Sequence, residues 1–237
     1  MDFLQAVLFD VDHTLLDFDK AERSALREAL LSLGLACPPS TVAAYQRINH
    51  DLWAAFRRGE ITQPALARER FRRLLREIGG DSRRASRLGE TYLDHLSAHG
   101  DRLPGCRPVL RQLGKRYRLG VVTNGIDRVQ RSRLAASGLA PLFETVVTSQ
   151  SCGFAKPDPR ILHVALDAMG VAPRHALYVG DDPATDGAAA RAAGVRFVWM
   201  DHGKQAPGRR PARRVESLRE LAGLLAADAT ASARGRS

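Results

Sequence analysis

Two aspartates one residue apart, Asp10 and Asp12, close the apolar run Ala6-Val7-Leu8-Phe9 and are followed by Thr14. Strand side chains alternate faces, so both carboxylates point the same way if the strand continues through them. Side by side they repel each other and are costly unless a cation neutralises them. A polar turn after a buried strand also places Asp and Thr at such a position, because both fold turns and cap helices. The pair alone leaves a turn and a cation site equally open.

Other apolar runs end in polar residues too. The run 119–123 leads into Thr123-Asn124-Gly125, which offers a hydroxyl, an amide and a permissive backbone for gripping an oxyanion; it is also ordinary turn chemistry. Lys156 lies in Gly153-Phe154-Ala155-Lys156-Pro157-Asp158-Pro159. A helix is expected next, with Asp158 as N-cap, Pro159 as first residue and Gly170 as terminator. A lysine there is either a solvated surface charge or a cation aimed at phosphate and at a nucleophile's carboxylate. The run 176–180 ends in Gly180-Asp181-Asp182-Pro183, with Asp186 four residues after Asp182. If Pro183 opens a helix, Asp186 falls in its first turn, near the strand end. Helix capping accounts for Asp182 but not for Asp181 as well. Carboxylates from the first and fourth strands, adjacent in a parallel sheet, would make a hard, oxygen-rich site suited to Mg²⁺.

The elements that position these residues follow from periodicity. Strands are expected at 6–10, 119–123, 145–148, 176–180 and 195–200, with helical segments between the last four. Strands alternating with helices indicate parallel βαβ units and a doubly wound, Rossmann-like α/β sheet. Residues from about 18 to 99 read almost wholly as helix. Leu26, Leu30 and Leu33 form one stripe closed by Gly34. A second pattern starts at Ser40, the expected N-cap, and a third spans 61–78. The fourth covers Leu88, Tyr92, Leu93 and Leu96. Aromatic residues of this block, Trp53 and Tyr92 among them, are read as core. The first strand must join the sheet, since alone its backbone groups stay unpaired. The expected organisation is therefore an α/β core at 1–16 and 104–226, an inserted all-helical domain at 17–103 and a disordered tail at 227–237.

Composition sets outer bounds. The chain has 237 residues, 44% hydrophobic and 26% charged, in the range of a globular protein. No apolar stretch nears the roughly 18 residues that span a bilayer, and the N-terminus lacks the basic start of a signal peptide. Cys37, Cys106 and Cys152 are scattered and odd in number, pointing to reduced thiols and a cytoplasmic protein. Half of the +10 net charge lies in residues 204–237, around Arg209-Arg210 and Arg213-Arg214. No aromatic residues interleave with those arginines, so specific nucleic-acid binding is not expected.

Taken together, Asp10-Val11-Asp12-His13-Thr14, Thr123-Asn124-Gly125, Lys156 and Gly180-Asp181-Asp182 with Asp186 resemble the ordered motifs of the haloacid dehalogenase (HAD) superfamily. The likeness covers Val7 to about Gly203 and makes the helical block a cap inserted after the first motif. It implies that Asp10 attacks phosphorus to form an aspartyl-phosphate, while Asp12 serves as general acid and then general base. It further implies Mg²⁺ held by Asp10, the Asp12 backbone carbonyl and Asp181. Thr123, Asn124 and Lys156 would hold the phosphoryl oxygens, and Asp182 and Asp186 would orient the metal's surroundings. Dehalogenases of this superfamily lack the acid at the Asp12 position, having no alcohol to protonate, so a phosphatase is expected. His13 departs from the Gly, Asn or Asp often found at its position.

The stretch from Val121 through Leu134, with Gly153 to Pro157 and Trp199-Met200-Asp201-His202-Gly203, is similar to the house-cleaning pyrimidine nucleotidases of the superfamily. The resemblance implies action on a small phosphorylated metabolite, with nucleoside 5′-monophosphates leading; a monomer or homodimer is expected. Phosphoglycolate or sugar-phosphate hydrolysis is the alternative, and a catalytically idle binding or regulatory protein is the reading from another class.

Overall fold

The computed structural model describes residues 4–203 and 213–234. They fall into two compact units, one of residues before Asp19 and after His99, the other Asp19–His99. The helical unit is a few residues shorter than the expected 17–103. The physical reason is that its flanks are tied to each other: Asp17 N donates to Asp101 O at 2.9 Å and Leu103 N to Leu15 O at 3.0 Å.

The α/β unit carries one sheet of β1 (Ala6–Phe9), β2 (Arg118–Thr123), β3 (Thr145–Thr148), β4 (Ala176–Gly180), β5 (Arg196–Met200) and β6 (Arg214–Val215). Their order is β3-β2-β1-β4-β5-β6 and every pairing is parallel. Central β1 is buried along its whole length, as a strand covered on both faces requires. Its alternation sorts the layers. Val7 and Phe9 pack toward α5 (Cys106–Leu113) and α10 (Leu218–Arg234). Ala6 and Leu8 pack toward α8 (Arg160–Ala168) and α9 (Asp186–Ala192). The remaining helices of this unit are α6 (Asp127–Ala136) and the short α7 (Ser149–Cys152). From β1 the chain moves outward through β2 and β3, then returns to β4 on the other side of β1. The order thus reverses beside β1, and open α/β sheets form their ligand crevice at the carboxyl ends of such strands.

Three local readings change. β6 is additional: two residues carry no hydrophobic period, and tertiary pairing with Trp199 and Met200 creates the strand. Residues 227–234 are helical within α10 rather than disordered. Alanines, the best helix formers, dominate this end, and Leu218, Leu221 and Leu225 anchor the helix in the core. Helix α8 starts one residue later than expected, with Pro159 at the cap position, while Asp158 Oδ1 accepts from Arg160 N at 2.9 Å. Of the basic C-terminal arginines, Arg214 pairs with Asp201 and Arg213 with Asp228. Arg209, Arg210 and the last residues, 235–237, lie outside the described residues.

The helical unit comprises α1 (Phe18–Ser32), α2 (Pro39–Arg57), α3 (Gln63–Glu77) and α4 (Ala85–Ala98). Helix α2 begins at Pro39 with Pro38 in the cap position, so Ser40 lies inside the helix; the fixed φ of proline suits a first turn. Tyr45, Phe71 and Tyr92 pack ring against ring in the core, whereas Trp53 is half-buried beside Phe56. A polar trio is also buried here: Asn49 Nδ2 donates to Glu22 Oε1 at 2.9 Å, and Arg70 donates to Asn49 Oδ1 at 3.1 Å. Among the described residues, no helix is long and apolar enough to cross a membrane.

Candidate active site

Asp10 is the first residue beyond β1, and its N–H still donates to Val179 O of β4 at 2.9 Å. That bond holds its carboxylate at the carboxyl ends of two neighbouring strands. Lys156 arrives from the segment before α8 and is only 4% exposed, which excludes a solvated surface charge. Its Nζ lies 2.7 Å from Asp10 Oδ1, 2.7 Å from Asp186 Oδ1 and 2.9 Å from the Tyr178 hydroxyl. The Tyr178 hydroxyl in turn donates to Val122 O at 2.9 Å. With Val122 O at 3.5 Å, the ammonium is surrounded by oxygen acceptors, as a buried cation requires.

Burial pushes the Asp10 carboxyl up to about 7; Lys156 opposes this rise, and Asp186 and Asp12 add to it. For Lys156, burial by itself favours the neutral amine, but Asp10 and Asp186 override it and hold the ammonium well above its usual range. One cation therefore serves two buried carboxylates. Asp10, Asp181 and Asp186 each offer an oxygen, and these all lie within 4.8 Å of one another. Three acidic groups around one ammonium leave negative charge in excess, and an all-oxygen donor set fits a small hard divalent cation. Asp186, expected to orient the metal's surroundings, lies within this cluster and is ion-paired to Lys156. Asp182 turns away to the helix start, where Oδ1 accepts from Ala184 N at 2.8 Å.

Two local features bring Asp186 and Asp181 in. A Cβ on Gly180 would come within 2.2 Å of Asp186 Oδ2, so only glycine lets that carboxylate approach β4. Trp199 Nε1 donates to the Asp181 carbonyl at 3.0 Å, anchoring the loop after β4 to β5.

The Asn124 side chain spans the main chain of Lys156. Its Nδ2 donates to Lys156 O at 2.9 Å and its Oδ1 accepts from Lys156 N at 2.8 Å. One amide thereby satisfies both backbone groups of Lys156. Thr123 is buried at the end of β2, its Oγ1 accepting from Gly125 N at 3.2 Å.

Three further contributors carry little signal in the sequence. Tyr178 reads as an ordinary apolar strand residue. Gln130 and Arg133, three apart on α6, converge on Asp12: Gln130 Nε2 lies 2.8 Å from Oδ2, and Arg133 NH1 donates to Oδ1. Their only sequence signal is polar character at buried positions of a helix. His13 has φ of +58°, the left-handed region that Gly, Asn and Asp tolerate best, and its ring packs edge-on against Phe18.

Comparison with known proteins agrees with this geometry. The sequence pattern of haloacid dehalogenase-like hydrolases matches residues 7–200. The chain is 34% identical to the pyrimidine 5′-nucleotidase PynA of Streptococcus pneumoniae, over 84% of each chain. It is 30% identical to the pyrimidine 5′-nucleotidase YjjG of Escherichia coli, over 92% of this chain and 96% of that one. The structure of the HAD-hydrolase YfnB from Bacillus subtilis, solved bound to magnesium, superposes with a TM-score of 0.88 at 30% identity, covering 94% and 99% of the two chains. Other relatives carry the names phosphoserine, phosphoglycolate and glyceraldehyde 3-phosphate phosphatase. With the strand order, the buried Lys156–Asp10 contact and a match running from β1 to the end of β5, the chain belongs to the family of haloacid dehalogenase-like hydrolases.

Proposed function

We propose that this chain is a Mg²⁺-dependent phosphomonoester hydrolase working through an aspartyl-phosphate on Asp10, with nucleoside 5′-monophosphates as its leading substrate class. The observation that carries the reading is the meeting of Asp10, Lys156, Asp181 and Asp186 at the carboxyl ends of β1 and β4. Asp12, beside the nucleophile, favours an alcohol-releasing reaction, because a leaving alkoxide needs a proton.

Asp10 and Asp181 would hold the ion, with Asp186 beside them and the Asp12 carbonyl as a further donor. When bound, Mg²⁺ supplies charge neutralisation between the phosphate dianion and the attacking carboxylate. Lys156 keeps Asp10 oriented and adds positive charge where the phosphoryl oxygens gather. Asp10 forms a bond to phosphorus as the ester P–O bond breaks, and the departing oxygen takes the proton carried by Asp12. Asp12, now a carboxylate, removes a proton from water; the water oxygen bonds to phosphorus and the Asp10–phosphorus bond breaks. Phosphate leaves, and both aspartates return to their starting states. The helical unit Asp19–His99 would act as the cap that selects the alcohol.

The nucleotidase assignment is supported by relatives of that name matching most of the chain. Relatives named for other phosphoesters support phosphoglycolate or sugar phosphates as the second reading. The test is a panel of phosphorylated metabolites ranked by kcat/KM with Mg²⁺, run beside Asp10→Asn. A nucleoside monophosphate should lead and Asp10→Asn should abolish turnover. A sugar-phosphate winner defeats the substrate assignment, and equal rates for wild type and Asp10→Asn defeat the phosphatase.

A further inference from the structure

We infer that Gln130 and Arg133 are positioning residues that hold the Asp12 carboxylate in the orientation from which it serves the leaving oxygen. This rests on the acid/base role proposed for Asp12. Each Asp12 oxygen receives one donor from α6, Oδ2 from Gln130 at 2.8 Å and Oδ1 from Arg133. The two donors are themselves joined, Arg133 NH1 to Gln130 Oε1 at 3.2 Å, and Gln130 Nε2 also reaches Thr123 Oγ1 at 3.3 Å. A carboxylate held through both oxygens from a rigid helix cannot rotate about its Cβ–Cγ bond. Of its roughly four lone-pair sites the clamp occupies two and leaves one free on each oxygen.

The clamp sits behind the carboxylate. Gln130 and Arg133 are 2% and 1% exposed, whereas the Asp12 side chain keeps 27% of its surface open. A buried arginine is expensive, and well-packed apolar residues in place of a buried ion pair often stabilise a protein. Packing alone therefore gives no reason to place a guanidinium here. Two further contacts fit the clamp into the fold. A Cβ on Gly125 would lie 2.3 Å from Gln130 Nε2, so glycine makes room for the amide. The Arg133 guanidinium also sits over the Phe18 ring, 5.6 Å from its centre.

The leaving group tests this. The quotient kcat/KM reports steps up to release of the alcohol, and p-nitrophenolate departs without a proton whereas phenolate is helped by one. In Arg133→Met and Gln130→Met, the ratio of kcat/KM for p-nitrophenyl phosphate to that for phenyl phosphate should rise at least ~10-fold over wild type. Asp12→Asn should raise it further. Either methionine variant suffices, and retained p-nitrophenyl phosphate turnover shows that it is folded. A parallel fall on both substrates, or an unchanged ratio, overturns the positioning role. Failure of the phosphatase reading is seen separately, as Asp10→Asn matching wild type.

Discussion

Asn124 and Lys156 are joined twice, side chain to main chain, by bonds of 2.9 and 2.8 Å that use both ends of one amide. The loop after β2 thereby fixes the segment before α8, and the lysine reaches Asp10 from a backbone that cannot drift.

Asn124→Ala should leave the sheet intact but free the Lys156 main chain. A misplaced cation loses catalytic power steeply, so kcat on p-nitrophenyl phosphate should fall about 10- to 100-fold. A variant within twofold of wild type would show that other contacts hold the loop.

Gly180→Ala drives a methyl group toward the Asp186 carboxylate, 2.2 Å away. Overpacking of this kind costs about 1–3 kcal/mol. The melting temperature should drop, and activity should fall more than stability alone explains, since Asp186 must leave Lys156. Wild-type activity in Gly180→Ala would mean the carboxylate has another resting place.

The cluster of Asp10, Asp181 and Asp186 should make folding sensitive to Mg²⁺, because an ion bound only by the native state stabilises it. Millimolar Mg²⁺ should raise the wild-type melting temperature by a few degrees, on the order of 1 kcal/mol, and do so far less in Asp181→Asn. Equal shifts in both would place the ion elsewhere.

Burial in the helical unit raises Glu22 to about 7, with Arg70 pulling the other way. The folded chain keeps a proton there that the unfolded chain releases near its ordinary value of 4.5. Stability from this group is therefore complete below about 4.5 and is lost as pH climbs through about 7. The difference in unfolding free energy between wild type and Glu22→Gln should change across that window by on the order of 3 kcal/mol. A flat difference between pH 4 and 8 would mean that Glu22 titrates normally.

The α/β architecture was legible in the sequence because buried parallel strands are short apolar runs and each ends in polar residues. Ala6-Val7-Leu8-Phe9 before Asp10, and the run through Val179 before Gly180, announce both a strand and the place where it stops. The helical insertion was legible for the same reason, through leucine and aromatic stripes of helical period. Its limits moved because hydrogen bonds between Leu15–Asp17 and Asp101–Leu103 carry no periodic signal. The two-residue β6 and the helical end of α10 were missed likewise: pairing with β5 and docking of leucines decide them.

By itself, then, the sequence determined which carboxylates and which lysine stand at strand ends, since local alternation and punctuation encode that. Only the tertiary structure decided what each one touches. It drew Asp186 forward onto Lys156, turned the Asn124 amide to the lysine's backbone, and set Gln130 and Arg133 behind Asp12. Those choices depend on contacts between residues far apart in the chain, such as Arg133 with Asp12, where neither partner's neighbours in sequence reveal the other. Asp10 and Asp12 are an electrostatic problem in the sequence, and the packing of β4, α6 and the Lys156 segment around β1 is its solution.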